Sequence, residues 1–428
     1  MQCTLVFVTL RYAEHHDAAF VRQLKQRHGL RIVAIVDQAS AAHVPAPLQG
    51  VIDEIQVLPS TLSCGMQQVF AADALVAAVQ AERERFPQRA LRLVSCCEFN
   101  LMAVGEARRR LGLPGPDDRA LLLFRDKLAM KQRVAAAGLQ TPRHRPLARR
   151  DLLGRGMRYE ALAEALGPRF VVKPVAAAGS VGVHMVRDAG DFARLAASPP
   201  AFEALEAEQF IDGVLYHVDS VVQHGRTVLH TVSEYLWPNF EFTRGRLLGS
   251  MNLPPDDPLA ARLTGFAERV LQALGTLDVS THMEIFMRDG EPVFLEVGAR
   301  PPGAAVCRAH RLGRGVNYMD LDLQLQAGIA IDAVPAPAGH ALWAYLPRRD
   351  GTVLHCAAPA LESAHDIEWK VRPGDRLRAA QHVGDCAAVI VAHGREHGPV
   401  RRDFERLRSF EGLTMADARQ PALAEPAG

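Results

Sequence analysis

Val171-Val172-Lys173-Pro174-Val175-Ala176-Ala177-Ala178-Gly179-Ser180-Val181-Gly182-Val183 is the stretch on which the reading of this chain turns. An apolar strand delivers one ammonium into a loop of small residues, and a second apolar strand follows. Of 49 basic residues only five are lysines, so a lysine here marks a place where the broad guanidinium fork does not serve. A compact ammonium fits beside a phosphate oxygen in a narrow pocket. Gly179, Ser180 and Gly182 carry little bulk, so the backbone N–H groups of the loop can close over further oxygens. The segment reads as a clamp for nucleotide phosphates. The plainer alternative is a hairpin with a flexible tip.

A second stretch, His282-Met283-Glu284-Ile285-Phe286-Met287-Arg288-Asp289-Gly290-Glu291-Pro292-Val293-Phe294-Leu295-Glu296-Val297-Gly298-Ala299-Arg300, reads as a hairpin. Parity decides which of its side chains share a face. A two-residue Asp289-Gly290 loop would set Glu284 across from Leu295 and turn Glu296 to the other face. A three-residue loop, Arg288-Asp289-Gly290 with Gly290 left-handed, sets Glu296 across from His282. The second register is expected, because it gathers His282, Glu284, Glu296, Gly298 and Arg300 on one face. Paired carboxylates beside a phosphate clamp suit Mg²⁺, a hard cation that takes oxygen ligands. The plainer alternative is an exposed face with incidental charges.

Bulk properties leave little room for other classes. The chain has 428 residues, 48% hydrophobic and 23% charged, with a net charge of +1. That describes an ordinary globular protein of about three domains, with no nucleic-acid or membrane footprint. Seven cysteines, an odd number, show no metal or disulfide framework. Without a signal-peptide pattern or an apolar run of ~20 residues, the expected home is a reducing cytoplasm.

The first 120 residues alternate β-rich runs (Thr4–Leu10, Arg31–Asp37, Val51–Leu58, Leu91–Cys97) with helical stretches, which makes a parallel α/β layer. Its first turn lacks the glycine fingerprint of a dinucleotide fold. Glu98 and Asn100 follow its last strand, where such folds place ligands. Helices are expected from Leu101 to Leu111 and after Asp126, the second carrying Lys127, with Lys131 as an exposed neighbour. Residues 143–165 are poorly punctuated. From Ala330 on comes a separate strand-rich piece, and the tail from about Met415 reads as disordered.

The order of motifs resembles the ATP-grasp superfamily over roughly residues 90–310: Asp126-Lys127 at a strand-to-helix junction, Lys173-Pro174 before the small-residue loop, Glu208-Gln209-Phe210-Ile211-Asp212-Gly213, then Glu284 a dozen residues before Glu296-Val297-Gly298-Ala299-Arg300. Thr281-His282-Met283-Glu284 and the run from Glu296 to Gly303 are similar to carboxylate–amine ligases that make dipeptides, the L-amino acid ligases. The resemblance implies an α/β fold, α+β in its ATP-binding part. Residues 1–120 would form an N-terminal domain, 121–330 the ATP-grasp domain with a lid at 142–214, 331–414 a C-terminal lobe, and 415–428 a tail.

The resemblance also implies roles. Lys127 and Lys173 would contact phosphates, with Gly179, Ser180 and Gly182 in the loop over them. Glu208, Gln209, Phe210 and Ile211 would form the hinge that binds adenine. Glu284 and Glu296 would ligate Mg²⁺, and Mn²⁺ would serve too. Arg300 would stabilise the phosphoryl group in flight, and His282 stands where some relatives have a phosphate-facing arginine. Leu215 occupies the place of a ribose-binding Glu in many relatives, which makes His217 the substitute. Gly298 replaces an Asn that often completes a second metal site.

Such a protein would join a small-molecule carboxylate to an amine with ATP, through an acyl phosphate. A second copy of the chain is the one macromolecular partner left open. Two alternatives stand beside this: a carboxylase or nucleotide-pathway enzyme using bicarbonate or formate, and a non-catalytic ATP-binding module. The small residues Pro301-Pro302-Gly303-Ala304-Ala305 are expected to bound the acyl pocket with Trp237 beside them.

Overall fold

The computed structural model describes residues 2–63, 67–153 and 156–416. Alternating apolar runs build an N-terminal parallel sheet from β1 (Cys3–Val8), β2 (Arg31–Val36), β3 (Glu54–Val57) and β4 (Ala90–Val94), in the order β3-β2-β1-β4. Leu5, Ile32, Val33, Ile35 and Leu93 are buried between its covering layers. Helix Leu101–Leu111 stops at Gly112, whose φ of 61° is left-handed, as the Gly-Leu-Pro-Gly signal predicts.

Asp126 caps α1 (Lys127–Ala136) by accepting from the backbone N–H groups of Leu128 and Ala129. Next comes a small antiparallel sheet of β5 (His144–Ala148), β6 (Phe170–Pro174), β7 (His184–Val186) and β8 (Ala204–Gln209), ordered β5-β8-β6-β7. β5 and two short helices fill the stretch that carried no clear punctuation in the sequence.

An eight-stranded antiparallel sheet dominates the rest. It contains β9 (Val214–Gln223), β10 (Arg226–Tyr235), β11 (Leu248–Asn252), β12 (Ser280–Arg288), β13 (Glu291–Gly298), β14 (His340–Pro347), β15 (Ala364–Trp369) and β16 (Cys386–Gly394), ordered β13-β12-β9-β10-β11-β14-β16-β15. β11 bonds directly to β14, so the piece after 330 is no separate lobe; it extends the central sheet. Local sequence could not announce this, since the pairing spans some ninety residues of chain. At the other end, Met415 and Ala416 pair in a strand with Gly351–Cys356, so the disorder expected from about Met415 does not hold for these two residues; residues 417–428 lie outside the described ones.

α2 (Pro258–Leu274) packs on one face of this sheet. Asp257 caps it, Pro258 opens it with a preset φ, and Gly275 closes it at φ 109°. Its Leu263, Phe266, Val270 and Leu274 recur at helical spacing and meet Met283, Ile285, Phe294 and Val297 in one core. Each such side chain, fully buried, is worth roughly 1.5–3 kcal/mol. That leaves the odd-numbered positions of β12 in the core and turns His282, Glu284 and Phe286 to the opposite face, toward a cavity.

Candidate active site

The cavity lies where the three sheets meet and encloses about 610 Å³, ordinary for a small-molecule site. The C-terminal ends of β1 and β4 supply Arg11, Tyr12, Glu98 and Phe99; the small sheet supplies Lys173 and Glu208; the large sheet supplies Tyr235, His282, Glu284 and Glu296.

The hairpin register differs from expectation. The loop has two residues, Asp289 (φ 52°) and Gly290 (φ 78°), the paired left-handed geometry that Asp-Gly favours. Parity is restored by a bulge: Ile285 pairs with Phe294, but Glu284 pairs with Glu296 and His282 with Gly298. Leu295 is the extra residue. The two carboxylates therefore stand directly opposite one another on one face, although the three-residue loop and the His282–Glu296 pairing are both corrected.

Lys127 Nζ donates to the Ala177 carbonyl at 2.7 Å and lies 3.5 Å from Glu296 Oε2. Lys173 Nζ lies 2.7 Å from Glu208 Oε1 and 3.6 Å from Glu296 Oε2. Burial alone would lower the Lys173 pKa, but Glu208, Glu296 and Glu206 drive it upward. Burial likewise opposes the charge on Glu208, and Lys131 with Lys173 holds that carboxyl down to about 2. Lys131 is a correction: it is 0% exposed, locked between Glu206 and Glu208.

Gly179, Ser180 and Gly182 take φ of 65°, 60° and 69° in the loop after β6, and Gly179 and Ser180 line the cavity. Gly182 instead abuts Pro174 and Phe202, where a Cβ would meet a ring carbon at 2.9 Å. Glu208, Gln209, Phe210, Ile211 and Leu215 also line the cavity. Gly213 allows the strand to close in, since a Cβ there would meet the Met287 carbonyl oxygen at 2.4 Å.

His217 does not reach this space. It is 0% exposed, with Nδ1 2.9 Å from Asp219 Oδ2 and Nε2 2.8 Å from Ser250 Oγ. Ser250 Oγ already accepts from Trp343 Nε1 at 2.7 Å, so its own proton points to His217 Nε2. His217 is thereby fixed with its proton on Nδ1, facing Asp219. Its assignment as a ligand to the ribose is corrected: both ring nitrogens are occupied inside the protein.

Asp219 is the residue the sequence reading left without a role. It also receives His282 Nδ1 at 2.6 Å and His310 Nε2 at 2.7 Å. The signal was present in the alternation His217-Val218-Asp219, which puts an acid and an imidazole on one strand face. Among the described residues, His217, Asp219 and His282 lie close enough together to hold a metal. Hydrogen bonds from each ring to the carboxylate already account for their approach. Burial would lower the His282 pKa, yet the Asp219 carboxylate and Glu284 raise it to about 9.

Arg300 lines the cavity and donates Nε–H to Glu98 Oε2 at 2.7 Å. Arg125, another residue missed in the sequence, donates to the other Glu98 oxygen at 2.5 Å and to the Ala176 carbonyl. Burial opposes the Glu98 charge, and Arg300, Arg125 and Lys127 hold it at about 2. Asn100 instead is structural, bonding Phe70 N and the Gln68 carbonyl. Ala304 faces the cavity at φ 52°. Trp237 does not; it lies against Arg246 and Arg408, and Trp343 stands at the wall instead.

The donor set fits a hard divalent cation. Glu284 accepts from Asn239 Nδ2 at 2.7 Å and Tyr235 OH at 3.3 Å, which orients it, while Glu296 has only its two lysine ion pairs among the described residues. Carboxylate oxygens as donors favour Mg²⁺ over softer metals.

The ATP-grasp domain family matches residues 124–304. The chain is 23% identical over 273 residues to an L-arginine-specific L-amino acid ligase of Bacillus subtilis, covering 61% of this chain and 64% of that one. It is 26% identical over 319 residues to the uncharacterized protein y4rH of Sinorhizobium fredii (strain NBRC 101917 / NGR234), covering 70% and 63%. This chain thus spans somewhat under two thirds of the length of either relative. Among solved structures, L-amino acid ligase from Bacillus licheniformis superposes with a TM-score of 0.70 at 18% identity, covering 97% of this chain and 99% of that one. N5-carboxyaminoimidazole ribonucleotide synthetase from Thermotoga maritima gives 0.63 at 12% identity, covering 97% and 100%. Residues 124–304 are an ATP-grasp domain, set in an α/β architecture whose fold this chain shares with an L-amino acid ligase.

Proposed function

We propose that the protein is an ATP-dependent carboxylate–amine ligase that forms an amide bond, joining an amino acid or related carboxylate to an amine. The observation that carries this is the convergence of Lys127, Lys173, Glu284, Glu296 and Arg300 on one cavity, three cations and two carboxylates drawn from separate elements. Hydroxide is too poor a leaving group for an amine to displace. A carboxylate oxygen that attacks the γ-phosphoryl group of ATP releases ADP and becomes an acyl phosphate. The amine then attacks the carbonyl, and phosphate leaves with the C–O electron pair. Such transfer needs positioning and charge neutralisation rather than a covalent nucleophile.

Lys127 and Lys173 would bind the phosphates, with the loop 176–182 closing over them against water. Glu208 to Ile211 would hold adenine. Arg300 and His282 would face the transferred phosphoryl group. Glu284 and Glu296 would hold Mg²⁺, which neutralises phosphate charge when bound. On this reading residues 1–120 and the strands after 330 wall the substrate end of the site. The six described cysteines are unpaired, which suits a reducing cytoplasm, and no described helix is long and apolar enough to cross a membrane.

The test is a phosphate-release screen with ATP, Mg²⁺ and paired amino acids, products identified by mass. Release that requires both a carboxylate and an amine, with a dehydrated product of the pair, is expected. Release driven by bicarbonate or formate alone would assign the carboxylase reading, and nucleotide binding without turnover the binding-module reading.

A further inference from the structure

Lys131 stands one helical turn beyond Lys127 on α1 and is 0% exposed, so no ligand can touch it. Its Nζ lies 2.6 Å from Glu206 Oε1 and 2.7 Å from Glu208 Oε2. Lys173 approaches the same two carboxylates, at 3.6 Å from Glu206 and 2.7 Å from Glu208. Two ammonium groups therefore share two glutamates. Glu206 is also 0% exposed, and only Lys173 and Glu208 of the four line the cavity.

The strand register explains the arrangement. Glu206 pairs with Lys173 across β8 and β6, and Glu206 and Glu208, two apart on one strand, share a face. A strand that must present Glu208 to the cavity thus brings Glu206 behind it. Without Lys131, the two ammonium groups of Lys127 and Lys173 would face three carboxylates, Glu206, Glu208 and Glu296, a group of net charge −1, unfit for a polyanion. Lys131 makes the sum zero from a position no ligand reaches. Buried ions are costly unless paired in good geometry, and packing alone gives no reason for an ammonium at this point of α1.

We propose that Lys131 is a positioning residue for the nucleotide: the counter-ion that takes up Glu206 and Glu208 so that the charge of Lys173 is available to the polyphosphate. This rests on the nucleotide reading of the site. A charge acting through the ligand's own charge must discriminate between ligands, because Coulomb energy scales with the product of the two.

The experiment is calorimetry with ADP plus Mg²⁺ and, separately, with uncharged adenosine. Lys131→Met is expected to weaken ADP at least tenfold and to leave adenosine within threefold. Glu206→Gln is expected to bind ADP at least as tightly as wild type. The double variant Lys131→Met/Glu206→Gln, which removes one charge of each sign, is expected to bind ADP within threefold of wild type.

A folded Lys131→Met protein with unchanged ADP affinity overturns the inference while leaving the nucleotide reading intact. So does a parallel loss of ADP and adenosine, which a purely structural lysine would give. If Lys131→Met does not fold, the double variant decides: ADP binding tenfold weaker than wild type rejects the counter-ion role. Wild-type protein that binds neither ligand rejects the nucleotide reading and this inference together.

Discussion

On one side of the cavity Lys127, Lys131 and Lys173 meet Glu206, Glu208 and Glu296, three ammonium groups against three carboxylates. Beneath its floor a single carboxylate, Asp219, serves His217, His282 and His310. The contrast follows from the chemistry of the bases. An ammonium keeps its charge at neutral pH, so buried lysines need acids one for one. His282, raised to about 9, balances the charge of Asp219, and an imidazole that sits neutral can still donate one N–H, so one acid can accept from three rings. The clamp is therefore a fixed balance of charges. The floor is a hydrogen-bonded scaffold that orients His282, the one of the three rings that lines the cavity.

Glu296→Gln tests the exposed edge of the clamp and should have the largest effect. Its side chain is 31% exposed, so water can take up part of the lost charge beside Lys127 and Lys173, and the protein should still fold at a cost of about 1–3 kcal/mol in unfolding stability. Phosphate release should drop by at least about ten-thousandfold, since a metal carboxylate is lost. Near wild-type release at saturating Mg²⁺ would show that Glu296 holds no metal.

Asp219→Asn does the converse. The amide keeps one accepting oxygen but removes the charge and turns an NH2 donor toward at least one of the three rings, which should cost about 3–5 kcal/mol in urea unfolding, as breaking other buried ionic contacts does. A loss below about 1 kcal/mol would mean that the rings are held by packing and that the carboxylate is incidental.

Lys173→Arg separates charge from shape in the clamp. The guanidinium keeps the charge, but its fork does not fit where one nitrogen must lie 2.7 Å from Glu208 and face the cavity. ATP affinity should fall about a hundredfold, roughly 2.7 kcal/mol. Binding within threefold of wild type, measured by calorimetry, would dispose of the narrow pocket.

The clamp and the floor differ also in how far the sequence disclosed them. Lys127 and Lys173 stood out because the chain writes arginine almost everywhere else, and Gly112, Asp126 and the Asp-Gly tip announced their turns by residue type. Lys131 was misjudged because an i+4 neighbour on a helix is usually its exposed companion; the counter-signal was Glu206 and Glu208 sharing the face opposite Lys173. The facing of Glu284 and Glu296 was anticipated for the wrong reason. Asp-Gly favours a two-residue loop, and the parity was repaired by a bulge at Leu295, which depends on backbone pairing and has no residue signature there. The alternation His217-Val218-Asp219 sets the acid beside one imidazole, but the arrival of His282 and His310 at Asp219 and the continuation of the sheet into β14, β16 and β15 depend on contacts between distant segments, which local periodicity does not carry.

Asp322 supplies the smallest and most selective test, because it is a buried carboxyl given neither kind of partner. It is 4% exposed and accepts from Gln326 Nε2 at 2.6 Å. Burial raises its pKa to about 6; the Gln326 hydrogen bond, the nearby Ser280 hydroxyl and the more distant His16 and Arg108 offset this only in part. Glu208, equally enclosed but flanked by two lysines, goes the other way. The sign of the linkage is set by the proton: between pH 3.8 and about 6 the folded protein holds it and the unfolded chain releases it. This group's contribution is therefore complete below pH 3.8 and is lost as pH rises through about 6. A carboxyl held near 6 instead of 3.8 is worth at most about 3 kcal/mol, and an amide that must keep the Gln326 contact recovers only part of that. Asp322→Asn should accordingly match wild-type stability at pH 4 and exceed it by about 1–2 kcal/mol at pH 8, measured by urea unfolding at both values. Equal stability of the two proteins at pH 8 would mean that Asp322 is ionised without cost, and that a buried acid here needs no cation to hold its charge.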